Sequence, residues 1–139
     1  MTTTLNSQDI LTQIMKSVES NVEDVRFIKR IEVGQIVRQG DIYIHKVDEN
    51  HSHGALQTNN QLAIGNSKGS RHIAESPAKC YTGTNKPKTC KDAIFLGPMV
   101  KSESRFTISH PEHANIELPA GCYQITHQLD PRTQERVRD

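Results

Sequence analysis

Apolar residues near the N-terminus follow a helical period. Five apolar side chains between positions 10 and 18 recur at three- and four-residue spacing, and Asn6 and Ser7 before them suit a helix N-cap. This pattern predicts an amphipathic helix over residues 7–20, within an N-terminal extension of residues 1–24. Because so short a helix is marginal alone in water, its apolar stripe must be covered by this domain or by another subunit.

Beyond Asn21 the apolar positions change to an alternating period, in short runs where Ile and Val outnumber Leu. Such runs are typical of β-strands. Turn-forming clusters such as Gln39-Gly40-Asp41 and Gly97-Pro98 separate them, and no helix-length segment lies between them. The pattern predicts a mainly β domain over residues 25–129, a small antiparallel barrel or sandwich. The predicted strands are 25–33, 35–39, 41–47, 61–64, 70–75, 93–96, 105–109, 116–118 and 122–129.

Two further segments lack a clear period. Residues 76–91 contain two prolines and little alternation, which predicts a long loop, and loops of this length in compact domains are usually functional or mobile. Residues 130–139 alternate acidic and basic side chains, with one apolar residue, and are expected to form a tail or an edge element.

Length and charge limit the number of domains and the kinds of partner that we expect. With 139 residues the chain suits one domain, and a net charge of +1 gives no field that would steer the whole molecule toward nucleic acid. Residues 66–91, however, hold six basic residues and one acidic residue. The candidate contacts to an anion or to nucleic acid are Lys68, Arg71, Lys86 and Lys88. Stacking of bases is disfavoured, because Tyr81 is the sole aromatic residue of this segment and the chain has no Trp.

The sequence also bears on the compartment. The N-terminus lacks the basic and apolar regions of a secretory signal, and no apolar run approaches the length of a membrane span. We therefore expect a cytoplasmic protein with no membrane partner. Cys80, Cys90 and Cys122 are an odd number without CxxC spacing, which predicts reduced thiols and leaves a Cys80–Cys90 pairing under oxidation open.

The seven histidines are the main chemical signal. Two close pairs stand out, His51-Ser-His53 in a polar stretch and His110-Pro-Glu-His113 after a β-patterned segment. Imidazoles that converge from separate segments are typical of metal sites and of acid–base sites. We predict His72, His110 and His113 as ligands of a divalent transition metal, with Glu112 and Glu75 as acid–base groups. Periodicity leaves the direction of His72 open.

Two resemblances bear on the fold. Leu118-Pro-Ala-Gly-Cys-Tyr123 resembles the turn that enters a strand in cupin barrels, and His51-Ser-His53 resembles the first cupin metal motif. No glutamate follows that motif closely, and Gln124 stands where cupins place a third histidine, so the likeness extends to the fold and not to a metal site.

The second resemblance covers roughly residues 35–139. The stretches Gln39-Gly-Asp-Ile-Tyr-Ile44, Gly69-Ser-Arg-His72, His110-Pro-Glu-His-Ala-Asn-Ile116 and Leu118-Pro-Ala-Gly121 are similar to a family of small uncharacterised prokaryotic or phage-borne β-rich proteins. This resemblance implies a β-rich fold and no particular activity.

Three functions follow as predictions. The first is a small accessory or assembly protein that contacts a protein partner, or a second copy of itself, through the N-terminal helix. The alternative is an enzyme with a histidine-lined metal or acid–base site, although the sequence shows no nucleophile elbow, phosphate loop, HExxH helix or dinucleotide fingerprint. A second alternative is nucleic-acid contact through residues 66–91.

Overall fold

A computed structural model of the chain describes residues 25–63, 71–88, 90 and 94–128. The predicted helix, the extension of residues 1–24 and the tail of residues 130–139 lie outside these described residues. The described part forms ten strands and no helix, so it has no helix that could cross a membrane. The strands are β1 (Val25–Phe27), β2 (Ile36–Gln39), β3 (Ile42–Val47), β4 (His53–Leu56), β5 (Ile73–Ala74), β6 (Lys79–Gly83), β7 (Ile94–Ser102), β8 (Phe106–Ser109), β9 (Asn115–Leu118) and β10 (Gly121–Gln128).

The strands form two sheets. The smaller sheet has the order β1-β9-β8-β5 and the larger has the order β2-β3-β10-β7-β6-β4. This confirms the mainly β prediction and is consistent with a sandwich. The predicted alternatives are a barrel and a sandwich. The described strands do not make a closed barrel, because each sheet ends in two edge strands. The antiparallel prediction also fails at one pair, since β1 runs parallel to β9.

The core lies where alternating side chains of the two sheets meet. Ile44 of β3 and Ile125 of β10 face Ile108 and Ile116 of the smaller sheet, and all four are fully buried. The opposite face of the larger sheet carries a second cluster of Val47, Met99 and Cys122. Because both faces of β10 are covered, every residue from Cys122 to His127 is buried.

The predicted loop over residues 76–91 is wrong in its first half. Residues 79–83 form β6, which pairs with β7 and β4 inside the larger sheet. Cys80 is directed into the core while Tyr81 lies on the opposite face. Five residues give too short an alternation to be recognised beside the prolines on either side.

The predicted turn at Gly97-Pro98 is a bulge inside β7. The register between β7 and β10 shifts between Gln124 and Thr126, opposite these two residues. Pro98 has no N–H to donate to the ladder, so an irregular position in a central strand accommodates it. β7 therefore continues to Ser102, beyond the end at residue 96 that the sequence predicted.

Candidate functional site

Three polar side chains meet at one end of the sandwich. Gln39 ends β2 and Asp41 precedes β3, on either side of Gly40, whose φ of 56° gives the tight turn between the strands. His72 comes just before β5 and points to the same side as Ala74, into the interior. This settles the orientation that periodicity left open. Gln39 and His72 are fully buried, and Asp41 is 3% exposed.

A hydrogen-bonded chain joins these side chains. The Gln39 amide donates through Nε2 to the carbonyl oxygens of Ile108 and Ala114, both at 3.0 Å. Its Oε1 therefore faces His72 as an acceptor, and His72 Nδ1 lies 2.8 Å from it. His72 Nε2 lies 2.8 Å from Asp41 Oδ1.

These contacts determine where protons lie. Because the Gln39 oxygen can only accept, His72 Nδ1 must carry a hydrogen. A proton must also lie between His72 Nε2 and Asp41 Oδ1, since two lone pairs would repel at that distance. The pair therefore holds one hydrogen on His72 Nδ1 and one shared between His72 Nε2 and Asp41 Oδ1, and it carries no net charge.

The electrostatics of Asp41 agree with this arrangement. Burial by itself raises the pKa of its carboxyl, but the hydrogen bond and charge of His72, together with the charge of His127, outweigh burial and hold that pKa below its usual value. Asp41 Oδ2 is buried and has no hydrogen-bond partner among the described residues. A buried polar atom without a partner lowers the stability of the folded protein and is typical of a functional constraint.

Two more imidazoles pack against His72. The ring centroids of His72 and His110 are 4.3 Å apart, those of His110 and His113 are 4.6 Å apart, and those of His72 and His113 are 6.4 Å apart. His110 Nδ1 accepts the backbone N–H of Glu112 at 3.0 Å, which places a neutral His110 in its Nε2–H form. His113 is half-buried, at the more open side of the group. We call His72, Asp41, Gln39, His110 and His113 the inter-sheet cluster.

A fourth histidine lies nearby, at the wall of a cavity. His127 is 1% exposed, pairs across the sheet with Ile42 next to Asp41, and packs edge-on against Phe95. The cavity beside it has a volume of about 400 Å³ and is lined also by Leu62 and Gly97. Its size is within the usual range for small-molecule sites.

The metal ligands predicted from sequence are thus brought together. Both ring nitrogens of His72 are hydrogen-bonded, however, so this residue must release Gln39 or Asp41 before it can bind a metal. Within the described ranges, no group of three or more His, Cys, Asp or Glu side chains is arranged to hold a metal ion. A divalent transition metal here stays a prediction.

The two predicted acid–base glutamates lie outside the cluster. The Glu75 carboxylate accepts the Ser109 hydroxyl at 2.6 Å, beside the small sheet and exposed. Glu112 is exposed and contributes its backbone N–H, not its carboxylate, to His110.

The HxH pair does not converge on one point. His51 Nε2 lies 3.1 Å from Gln124 Oε1, whereas the His53 ring packs on Tyr81 with centroids 4.3 Å apart. His45 is buried on the same sheet face, 2.8 Å from Thr126 Oγ1, and burial lowers its pKa.

The thiols lie on different faces of the larger sheet. Cys80 is in the inter-sheet core, and Cys90 Sγ lies 3.7 Å from His45 Nε2 on the opposite face. The sheet thus separates Cys80 from Cys90, which answers the open question of their pairing, and none of the three cysteines forms a disulfide. Burial raises the pKa of the Cys80 thiol to about 12 and also raises that of Cys122.

The residues predicted to contact an anion do not form one group in the structure. Lys68 lies outside the described residues, and Arg71 is exposed next to His72. Lys86 and Lys88 are exposed and line a second cavity of about 540 Å³ beside His51.

Sequence reasoning missed Gln39, Asp41 and His127 as members or neighbours of the site. The sequence identifies Gln39 and Asp41 only as turn formers, and His127 only as one of the seven histidines. One signal was present for Gln39, because it occupies the position two residues after Val37, on the apolar face of its strand. A polar side chain on an apolar face needs a partner in the interior.

Comparisons with known proteins give one result for the family and none for a relative. No curated protein and no solved structure matches the chain. One family model matches residues 38–128, more than half of the chain, and it spans both the Gln39-Gly40-Asp41 turn and the His110 to His113 segment. The chain therefore belongs to the family described as Domain of unknown function (DUF8820).

Proposed function

We propose that the inter-sheet cluster is the functional site and that it performs acid–base chemistry on a small molecule. The observation that carries this proposal is the Gln39–His72–Asp41 chain, in which both nitrogens of a fully buried imidazole are hydrogen-bonded and Gln39 places a hydrogen on Nδ1. Enzymes use such fixed protonation states when a neighbouring group must give or take a proton.

The stability cost of the cluster supports a functional role. A buried ion pair is rarely more stable than well-packed apolar side chains of the same volume. Here the pair is buried in a protein whose apolar content is low, at 34%. Polar groups retained at such a cost are typical of sites that act on a ligand.

The roles divide between fixed and exchanging groups. His72 Nε2 and Asp41 Oδ1 are hydrogen-bonded to each other, so these two residues hold the cluster in place and set its charge. His110 and His113 pack on this pair, and half-buried His113 is the group best placed to exchange protons with a bound molecule. His127 lies at the wall of the 400 Å³ cavity and acts on Asp41 through its charge.

The assembly function remains a second candidate. Val25 and Phe27, on the edge strand β1, are 50% and 58% exposed, which favours a further protein contact at this edge. The helix on which the sequence argument rests lies outside the described residues.

¹⁵N NMR of the histidine side chains in the full chain tests the acid–base proposal. We expect two N–H signals for His72 and an Nε2–H signal for His110 at neutral pH. In a screen of small carbonyl compounds, carboxylic acids and phosphates, compounds that bind the site should shift the His110 and His113 signals. His113→Gln should abolish these shifts, while His53→Gln, a half-buried histidine on the other sheet face, should retain them.

Two results would contradict the proposal. If one equivalent of Zn²⁺ or Mn²⁺ binds and removes the His72 N–H signals, the cluster is a metal site and the sequence prediction of a divalent metal is favoured instead. If no compound shifts the cluster, or if the shifts persist in His113→Gln, the cluster does not act on a small molecule.

A further inference from the structure

A second cavity lies on the far side of the larger sheet from the inter-sheet cluster. It has a volume of about 540 Å³ and is bounded by residues 33–34, the end of β3, residues 50–52 and residues 85–88. Residues 85–88 are far along the chain from residues 33–52, so the fold and not a single local loop creates the cavity. We infer that it is a binding site for a small organic phosphate, independent of the proposed acid–base site.

The charge of the walls favours an anion. Lys46, Lys86 and Lys88 line the cavity, and Asp48 is the single acidic residue among the described residues that line it. Lys86 and Lys88 are exposed and lie at its rim. Lys46 Nζ donates to the Ala120 carbonyl at 3.3 Å and lies over the ring of Tyr123, a residue of the inter-sheet core, so its ammonium is directed away from the cavity and Lys86 and Lys88 supply the positive charge.

The loop that carries the two rim lysines is anchored. Pro87, between them, is buried, and its carbonyl accepts the backbone N–H of Cys90 at 3.0 Å. The Asn85 carbonyl lies 3.0 Å from His51 Nε2. Lysines on an anchored loop lose less entropy when a ligand binds than lysines on a free loop.

His51 is held in one orientation within the cavity. Gln124, fully buried, donates from Nε2 toward the carbonyls of Gly97 and Pro98 at 2.7 and 3.1 Å, so its Oε1 must accept from His51 Nε2–H. The proton of neutral His51 is therefore on Nε2, directed inward. Nδ1 then carries a lone pair, so it can accept a hydrogen bond from an O–H of a ligand but cannot donate one to a phosphate oxygen.

Apolar side chains also line the cavity. They include Val33, which is 62% exposed, and Pro87. Inorganic phosphate would use the lysines alone, whereas an organic phosphate would also cover Val33. The volume accommodates such a molecule.

The test is a titration of the ¹⁵N-labelled full chain, followed by NMR, with three probes: phenyl phosphate, inorganic phosphate and the uncharged benzyl alcohol. We expect saturable shifts at residues 46–52 and 85–88 with phenyl phosphate, weaker binding of inorganic phosphate, and no binding of benzyl alcohol. Lys86→Ala/Lys88→Ala should weaken phenyl phosphate about tenfold or more. The control Lys29→Ala/Lys79→Ala removes the same charge from exposed positions outside the cavity and should change affinity by less than about twofold.

Three results would overturn the inference. They are the absence of saturation by phenyl phosphate at about 10 mM, an equal loss of affinity in the control variant, and tighter binding of a dT oligonucleotide with shifts that spread beyond the cavity. The last would indicate a nucleic-acid surface. Signals of His110 and His113 report separately on the acid–base site, so failure of one proposal leaves the other intact.

Discussion

At the scale of single residues, the position of the hydrogen on a histidine in this protein is determined by whether the neighbouring side chain can donate or only accept a hydrogen bond. Gln39 cannot rotate its amide without facing two carbonyl oxygens with a third, and this fixes the proton on His72 Nδ1. Gln124 acts in the same way on His51 from the other side of the sheet. In both cases a neutral amide, not a charged group, determines that one particular ring nitrogen of a histidine carries a hydrogen.

Burial also sets the reactivity of the thiols. The thiolate is the nucleophile, and Cys80 and Cys122 are 0% and 6% exposed with raised pKa values. We expect a disulfide reagent at neutral pH to modify half-buried Cys90 first and to modify Cys80 at least about a hundredfold more slowly. Peptide mass spectrometry over time measures this, and Cys90→Ser should remove the fast phase. Equal rates at Cys80 and Cys90 would mean that the core is open to the reagent.

At the scale of the element, the bulge in β7 brings three strands unusually close. A Cβ atom on Gly83 of β6 would lie 2.0 Å from the Gly97 carbonyl oxygen and 2.9 Å from Gln124 Nε2. The Gly97 and Pro98 carbonyls accept the Gln124 amide at this irregular position. Gly83 is therefore required by the approach of β6 to the bulge, and not by its own backbone angles.

This close approach predicts the effect of one methyl group. Gly83→Ala places the new Cβ against backbone atoms that cannot move alone, so the free energy of unfolding should fall by at least about 2 kcal/mol. Gly54→Ala is the matched control in neighbouring β4, where the nearest atom is Thr82 Cβ at 3.1 Å, and it should cost clearly less. Chemical denaturation of both variants measures the difference. Equal losses would show that the bulge does not constrain β6.

At the scale of the whole molecule, the inter-sheet cluster connects the two sheets. Gln39 belongs to the larger sheet and donates to Ile108 of the smaller one, while Asp41 holds His72 beside β5. The polar groups thus close one end of the sandwich that the Ile-rich core fills elsewhere. The same groups that serve the proposed chemistry contribute to the stability of the molecule.

Stability should therefore depend on the charge of Asp41. Its pKa in the folded protein is below the ordinary 3.8, so its contribution is present above that pH and is lost as pH falls through the folded pKa. Asp41→Asn should lower the free energy of unfolding by about 3–5 kcal/mol at pH 7, because it removes the carboxylate partner of fully buried His72. The difference from wild type should shrink below about pH 4.

Denaturant unfolding of both proteins between pH 7 and pH 3 measures this dependence. Glu103→Gln, at an exposed position, is the control and should have little effect at any pH. A constant difference between wild type and Asp41→Asn across the range would mean that Asp41 stabilises by packing and not by charge.

The sequence by itself determined the type of structure and its chemical resources. Alternation of Ile and Val with polar residues predicted most of the strands, since the two-residue period of a strand is local and needs no partner to be read. The same reading singled out His72, His110 and His113, whose rings are adjacent in the structure. It failed at β6 and at the Gly97-Pro98 bulge, where pairing partners override local preference for a loop or a turn.

Tertiary structure alone decided what those histidines contact. Gln39 and Asp41 are 33 and 31 residues away from His72 along the chain, and no local pattern states that a turn and a later strand will meet. The proton positions depend on these contacts, because hydrogen bonds and burial act through distances in space. A sequence can thus specify which side chains are available to exchange protons. The packing of the two sheets specifies which atoms of those side chains carry a proton.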